Sequence, residues 1–333
     1  MAGNQYLKGL NHKDLPPAMH DLPAMYARVC DIVRAGAGDC FGDDDNAHAY
    51  SRAPKLTDFE VVCLAATAEA IECDSENLLY AKLGDYPDFL SHRCGRQAYN
   101  RRRRRLRPLI DAANATLAAF IDDGTELLTV DSMPIETARV NTESTSKACR
   151  RPDRDAHCAD KTWHASTKRW ILGYKLHAIF TASGVYVDHV LRPASHHDLT
   201  VLRELADLAA EDHLGEPLTT RLGRRLLLGD KGYTSKPVQL SFADTLGVDL
   251  RTIPEDNAAD YAPWPTEWKI ARRYIETVFS QLCDEVRIKR NLAKRFRGIN
   301  ARVSTKLLTR TIKQFLNYHA GKPLNQTKHC WDA

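Results

Sequence analysis

Leu127-Leu128-Thr129-Val130-Asp131-Ser132-Met133-Pro134 decides how this 333-residue chain is read. Before it, apolar residues recur at helical spacing. From Leu127 the pattern changes to a short apolar run ending in a carboxylate, which predicts a buried strand. Trp170–Thr181 and Val185–Arg192 are β-rich runs joined by Ala182-Ser183-Gly184, a predicted hairpin. Asp198–Ala210 has helical spacing, Leu226-Leu227-Leu228 reads as a buried strand stopping at Gly229-Asp230, and a helix is predicted over Lys236–Leu246. Val248–Ile253 follows as a strand and Glu267–Arg290 as a long helix with Ile270, Tyr274, Val278, Leu282 and Val286 on one side. The order predicts a mixed α/β, ribonuclease H-like sheet flanked by helices. The polar stretch Thr142–Thr167 reads as a loop inserted between the first strand and the hairpin.

Upstream, Thr57 and Glu60 form a capping box ahead of Val61, Val62, Leu64 and Ala65. Helical patterning continues to Leu83, and Ser91–Ile121 predicts one or two more helices, N-capped by Ser91 and broken near Pro108. The expected division is a helical, helix-turn-helix-like DNA-binding region over 1–123 and a ribonuclease H-like catalytic domain over 124–320. With 43% apolar and 27% charged residues, the composition is that of a folded globular protein. No apolar run is long enough to span a bilayer, and Met1–Met19 lacks a signal-peptide core, so membrane and secreted readings are set aside. Nine cysteines without a CxxC pair are read as reduced and structural.

The net charge of +4 hides a lopsided distribution. Eight arginines (Arg93, Arg96, Arg101, Arg102, Arg103, Arg104, Arg105 and Arg107) lie between His92 and Arg107 with no acid among them. Ten Lys or Arg residues lie between Val286 and Lys313, again without an acid, whereas Asp58–Asp88 carries eight acids against one lysine. Two basic blocks predict a polyanionic partner; solvated helix faces are the alternative, although these usually mix both signs. In the first block Gln97, Tyr99 and Asn100 are placed to reach base edges while the arginines hold phosphates. In the second, Arg287, Lys289, Arg290, Lys294, Arg295 and Arg297 are expected to track a nucleic-acid backbone.

Three acids stand out by position. Asp131 ends the first predicted strand, Asp230 ends the fourth within Gly229-Asp230-Lys231-Gly232-Tyr233, and Glu276 lies on the last helix four residues after Arg272. Acids among apolar strand residues are costly to bury unless paired or metal-bound. Three carboxylates suit two Mg²⁺ ions for phosphoryl transfer, with Mn²⁺ as a substitute. Taken singly, each acid could instead cap a helix or pair with a neighbour, as Glu276 could with Arg272 or Arg273. Lys231 reads equally as a phosphate contact or a surface lysine. In His196-His197-Asp198, His197 and Asp198 stand at a strand-to-helix junction as supporting residues or as a helix cap. Trp163, Trp170, Trp264 and Trp268 are expected mostly in the core.

The Asp131-Ser132-x-Pro134, Gly229-Asp230-Lys231-Gly232-Tyr233 and Arg272-x-x-x-Glu276 blocks resemble the three acidic motifs of DDE transposases from bacterial insertion sequences, in particular the group called nine-eighty-two. The resemblance spans about Leu127–Arg290. It implies that Asp131, Asp230 and Glu276 are the metal-binding catalytic triad, and that Arg272 is the arginine one helical turn before the glutamate. Residues 196–198 resemble the His-Asp pair after the third strand. The Tyr-Arg-Glu-Lys signature of related enzymes is broken here, with Lys269 and Cys283 at its outer positions. The implied activity is Mg²⁺-dependent cleavage at terminal inverted repeats followed by strand transfer into target DNA. A homodimer or larger synaptic complex in a bacterial cytoplasm is implied with it. A metal-dependent nuclease of the same fold and a non-catalytic, transposase-derived DNA-binding protein remain open alternatives.

Overall fold

The structure, a computed structural model, describes residues 21–150, 157–165, 167–210, 225–253 and 263–332. The chain separates into two compact units. One contains the residues up to Ile121 with Asp284–Leu292 and Asn300 onward; the other contains Asp122–Cys283 with Ala293–Ile299. The chain passes from the first unit to the second between Ile121 and Asp122, and the segments Asp284–Leu292 and Asn300 onward return to the first.

In the first unit, α1 (Leu22–Ala37) lies in a region with little sequence pattern; Asp21 caps it by accepting from the Ala24 amide. Helix α2 (Asp58–Ala70) begins with the expected capping box. Thr57 Oγ1 accepts from the Glu60 amide at 3.1 Å, and Glu60 Oε2 accepts from the Thr57 amide at 2.7 Å. Every residue of α2 except Glu60 is buried, so this is a central helix rather than an amphipathic one. Next come α3 (Glu76–Gly84), α4 (Arg96–Arg105) and α5 (Arg107–Ile121). The N-cap of α4 is Gly95, not Ser91, and α4 gives way to α5 at Leu106, which leaves Pro108 in the first turn of α5, where its missing N–H costs nothing.

Ion pairing corrects the charge reading, because part of each basic block meets the acidic segment inside this unit. Arg102 meets Asp58 at 2.5 Å, and Arg103, 2% exposed, meets Glu76 at 3.1 Å. From the C-terminal helix, Arg302 reaches Glu69 at 3.2 Å and Lys306 reaches it at 2.7 Å. Arg290 pairs with Asp74 at 2.8 Å, Arg287 with Glu72, and Lys313 with Glu285 at 3.1 Å. A polar C-terminal helix can therefore be buried, because its cations face carboxylates and Thr305 and Thr309 donate to carbonyls one turn back.

The second unit is built on a six-stranded mixed sheet: β1 (Leu127–Ala138), β2 (Asp160–His164), β3 (Arg169–Thr181), β4 (Tyr186–Pro193), β5 (Leu226–Gly229) and β6 (Asp249–Thr252). Its order is β2-β3-β1-β5-β6, with β4 also pairing β3; β1, β2, β3 and β4 pair antiparallel, whereas β5 runs parallel to β1 and β6 to β5. The predicted hairpin is present, with Gly184 at φ 79° in its turn. Helices α7 (Asp198–Ala210), α8 (Lys236–Leu246) and α9 (Thr266–Glu285) flank the sheet; short α6 (Lys147–Arg150) precedes β2, and α10 (Phe296–His319), most of which belongs to the first unit, is followed by a 3-10 helix over Thr327–Asp332. Leu128, Val130, Val201, Leu202, Leu227, Tyr233, Phe242 and Leu250 form the core between sheet and helices. This is the mixed ribonuclease H-like layout expected from the element order.

The stretch read as a loop corrects that expectation, since β2 lies within it and pairs Asp160–His164 with Gly173–Arg169 of β3. Trp163 and Trp170 face each other on this edge, 51% and 50% exposed, instead of entering the core. Trp264 and Trp268 are only half-buried. Among the described residues no helix is long and apolar enough to cross a membrane.

Candidate active site

Strand β1 does not stop at Asp131. It continues to Ala138 along β3, which corrects the expected strand end. What stops is its pairing with β5: the last parallel partners are Thr129 and Leu228. Asp131 and Asp230 each stand two residues beyond that pair, so they occupy equivalent places past the end of the β1–β5 ladder. That is where α/β sheets present ligand groups.

Asp230 follows β5 directly and caps the tight turn Lys231–Tyr233, its Oδ1 accepting from the Gly232 amide at 2.8 Å. A Cβ at Gly232 would lie 3.0 Å from that oxygen and 3.4 Å from Asp198 Oδ2. A side chain at this turn would crowd the Asp230 carboxylate and touch that of Asp198. Gly229 is required for a different reason: a Cβ there would be 3.2 Å from the Tyr233 ring, which folds back under the strand end.

Burial, the main cause, pushes Asp131 up to about 6; Arg272 and the Ser132 amide pull the other way, while Asp230 and Glu276 add repulsion. Arg272, on α9, sits between two of the acids, 3.3 Å from Asp131 Oδ2 and 3.3 Å from Glu276 Oε1. Glu276 itself is 66% exposed at its side chain. Helical spacing puts Arg272 and Glu276 one turn apart, but only the tertiary fold brings them to Asp131.

Four supporting residues escaped the sequence reading: Ser132, Lys175, His177 and Tyr233. Lys175 on β3 pairs with Asp198 at 2.6 Å. The α7 cap is supplied by His197, whose Nδ1 accepts from the Leu199 amide at 3.3 Å, so Asp198 turns toward Lys175 instead of capping. His177 is fully buried and is held down to about 3, chiefly by burial. Its Nδ1 lies 3.3 Å from Tyr233 Oη and its Nε2 is 3.9 Å from Asp198 Oδ1. A polar residue on a buried strand has no distinctive periodicity, so alternation alone could not single these out. Lys231 is exposed on the turn.

The oxygen donors are hard, partly buried and mutually repulsive, with one arginine between them, which is donor chemistry suited to Mg²⁺. Among the described residues, no three His, Cys, Asp or Glu side chains already stand together closely enough to hold an ion. The expected nucleic-acid contacts divide sharply. Arg96, Arg101, Arg104 and Arg105 are exposed on α4, as are Lys289, Arg290, Lys294 and Arg295. Arg103 is buried, Arg102 binds Asp58, Arg107 pairs with Asp111 at 2.8 Å, and Arg93 donates to the Phe89 and Leu90 carbonyls. Arg287 is committed to Glu72, and Arg297 is half-buried.

A six-stranded mixed sheet flanked by helices is the layout of a ribonuclease H-like domain. Residues 122–312 match the family described as the transposase DDE domain, and the chain belongs to that family. No curated protein and no solved structure matches the chain.

Proposed function

We propose that this protein is the transposase of a bacterial insertion sequence, of the nine-eighty-two group, binding terminal inverted repeats and cutting and joining DNA at Asp131, Asp230 and Glu276. The register equivalence of Asp131 and Asp230 carries this reading. It sets two carboxylates near one another, the arrangement that suits a pair of divalent ions serving phosphoryl transfer.

Asp131, Asp230 and Glu276 would hold two Mg²⁺ ions, or Mn²⁺ in their place, which when bound supply activation of the attacking oxygen and stabilisation of the leaving oxygen. Asp131 is held by the Ser132 amide, 2.8 Å from its Oδ1. Arg272 keeps Asp131 and Glu276 from repelling each other, and the turn at Gly232 fixes the Asp230 carboxylate. The same residues serve water attack, which frees a 3′-hydroxyl, and attack of that hydroxyl on target DNA. Lys231, exposed beside Asp230, is placed to meet a phosphate.

The exposed face of α4, with Gln97, Arg101, Arg104 and Arg105, is the proposed DNA-reading surface of the helical region; Arg102 and Arg103 belong to the structural interior. Lys289, Lys294 and Arg295 are proposed backbone contacts. Joining two element ends requires a homodimer or larger synaptic complex acting on double-stranded DNA in the bacterial cytoplasm.

The test uses DNA carrying both flanks of the gene, incubated with wild-type and Asp230→Asn protein in Mg²⁺. Cuts at defined flanking repeats together with joined products, both absent in the variant, are expected. Cutting without joining would point to a nuclease of the same fold, and binding without cutting to a non-catalytic DNA-binding protein.

A further inference from the structure

The ladder between β1 and β5 ends at Thr129 and Leu228, so no backbone pairing fixes Asp131 against Asp230. Something else must hold these two ends in register. Tyr233 closes the turn that begins with Asp230, and it is 1% exposed. Its hydroxyl lies 3.3 Å from His177 Nδ1, with the Ser132 side chain, next to Asp131, as a further polar neighbour. Ser132 and His177 are themselves direct partners across β1 and β3.

We infer that Tyr233 is a positioning residue, a clasp whose hydroxyl ties the Asp230 turn to the two central strands and so sets the separation of the metal-binding carboxylates. The inference rests on the metal-site reading above.

The phenol donates to His177 Nδ1, while His177 Nε2 is left without a hydrogen-bond partner, 3.9 Å from Asp198 Oδ1. The ring below the hydroxyl packs in the core with Leu128, Val130 and Val201, so the clasp is anchored by apolar contact as well. Gly229 is the sequence's provision for it, because any side chain there would meet the ring.

Tyr233→Phe removes the hydroxyl and keeps the ring. The experiment titrates Mn²⁺ into the full-length wild type, Tyr233→Phe, Ser132→Ala and Asp230→Asn by calorimetry, with melting temperatures recorded alongside. Expected are loss of Mn²⁺ binding in Asp230→Asn and affinity reduced about 10–100-fold in Tyr233→Phe, the range for groups that orient metal ligands. Ser132→Ala, which removes the other polar neighbour of the hydroxyl, should weaken binding in the same direction and covers the case of a Tyr233→Phe protein that does not fold. Wild-type affinity in Tyr233→Phe, or a lowered melting temperature alone, overturns the clasp while leaving the metal site intact. If the wild type binds no Mn²⁺, or Asp230→Asn binds it equally well, the metal-site reading fails and the clasp fails with it.

Discussion

Asp131 and Asp230 stand at equivalent positions on two parallel strands, each two residues past the last backbone-paired partners, Thr129 and Leu228. Adjacent strands are about 4.8 Å apart. The sheet therefore brings two like charges together, and burial makes the ionised form of Asp131 expensive.

A measurable cost follows. The folded protein holds Asp131 up at about 6 against an ordinary 3.8. A raised carboxylate favours folding in its protonated form, so the contribution of Asp131 to stability should decline as pH rises from about 4 through 6. In the presence of a chelator at pH 7, Asp131→Asn should be more stable by on the order of 1–3 kcal/mol while cleavage falls by orders of magnitude. Denaturant melts of the two proteins at pH 4 and 7 check the direction; an Asn variant less stable at pH 7 would contradict it.

Arg103 and Arg104 are neighbours in sequence and should behave as opposites. Arg103 is buried against Glu76 and Glu69, and removing one member of such a cluster costs about 3–5 kcal/mol, so Arg103→Ala should melt far lower. Exposed Arg104→Ala should shift stability by less than about 0.5 kcal/mol. Arg101→Ala and Arg104→Ala together should weaken DNA binding and reduce its salt slope by about 2. Melting curves and a salt series of binding isotherms separate the two roles.

His177 gives a second pH signature of opposite sense. Its folded value, about 3, lies below the ordinary 6.5, so the unfolded chain binds the extra proton between those values. Stability should fall as pH drops from 6.5 toward 3, by on the order of 3–5 kcal/mol from this group. His177→Asn should flatten that part of the stability profile.

Gly232→Ala tests the crowding around Asp230. The added methyl would press on Asp230 Oδ1 and Asp198 Oδ2. Cleavage should fall at least tenfold, about the effect of 1.4 kcal/mol, with a melting temperature within a few degrees of wild type because the turn is exposed. Wild-type activity would show that the carboxylates have room to move.

Much of the fold was readable because its signals are local. The capping box at Thr57 and Glu60, the β3–β4 hairpin around Gly184 and the apolar β5 run need only neighbouring residues to form. The missed elements lack such signals. Helix α1 lies in weakly patterned sequence, and β2 is a short polar edge strand whose pairing is supplied by β3. Of the site, the three acids were visible from their flanking apolar residues. Lys175, His177 and Tyr233 were not, since their partners lie 23 to 56 residues away.

Charge shows the division most clearly. Composition and order determined that two basic blocks and one acidic segment exist, and that Asp131, Asp230 and Glu276 sit on strand ends and a helix. Only the tertiary structure decided which charges meet. It turned Arg103, Arg302 and Lys306 inward to Glu69 and Glu76, left Arg101 and Arg104 facing water, and set Arg272 between Asp131 and Glu276. Side-chain identity sets whether a charge is present, whereas its partner and its solvation depend on which distant segments pack against it.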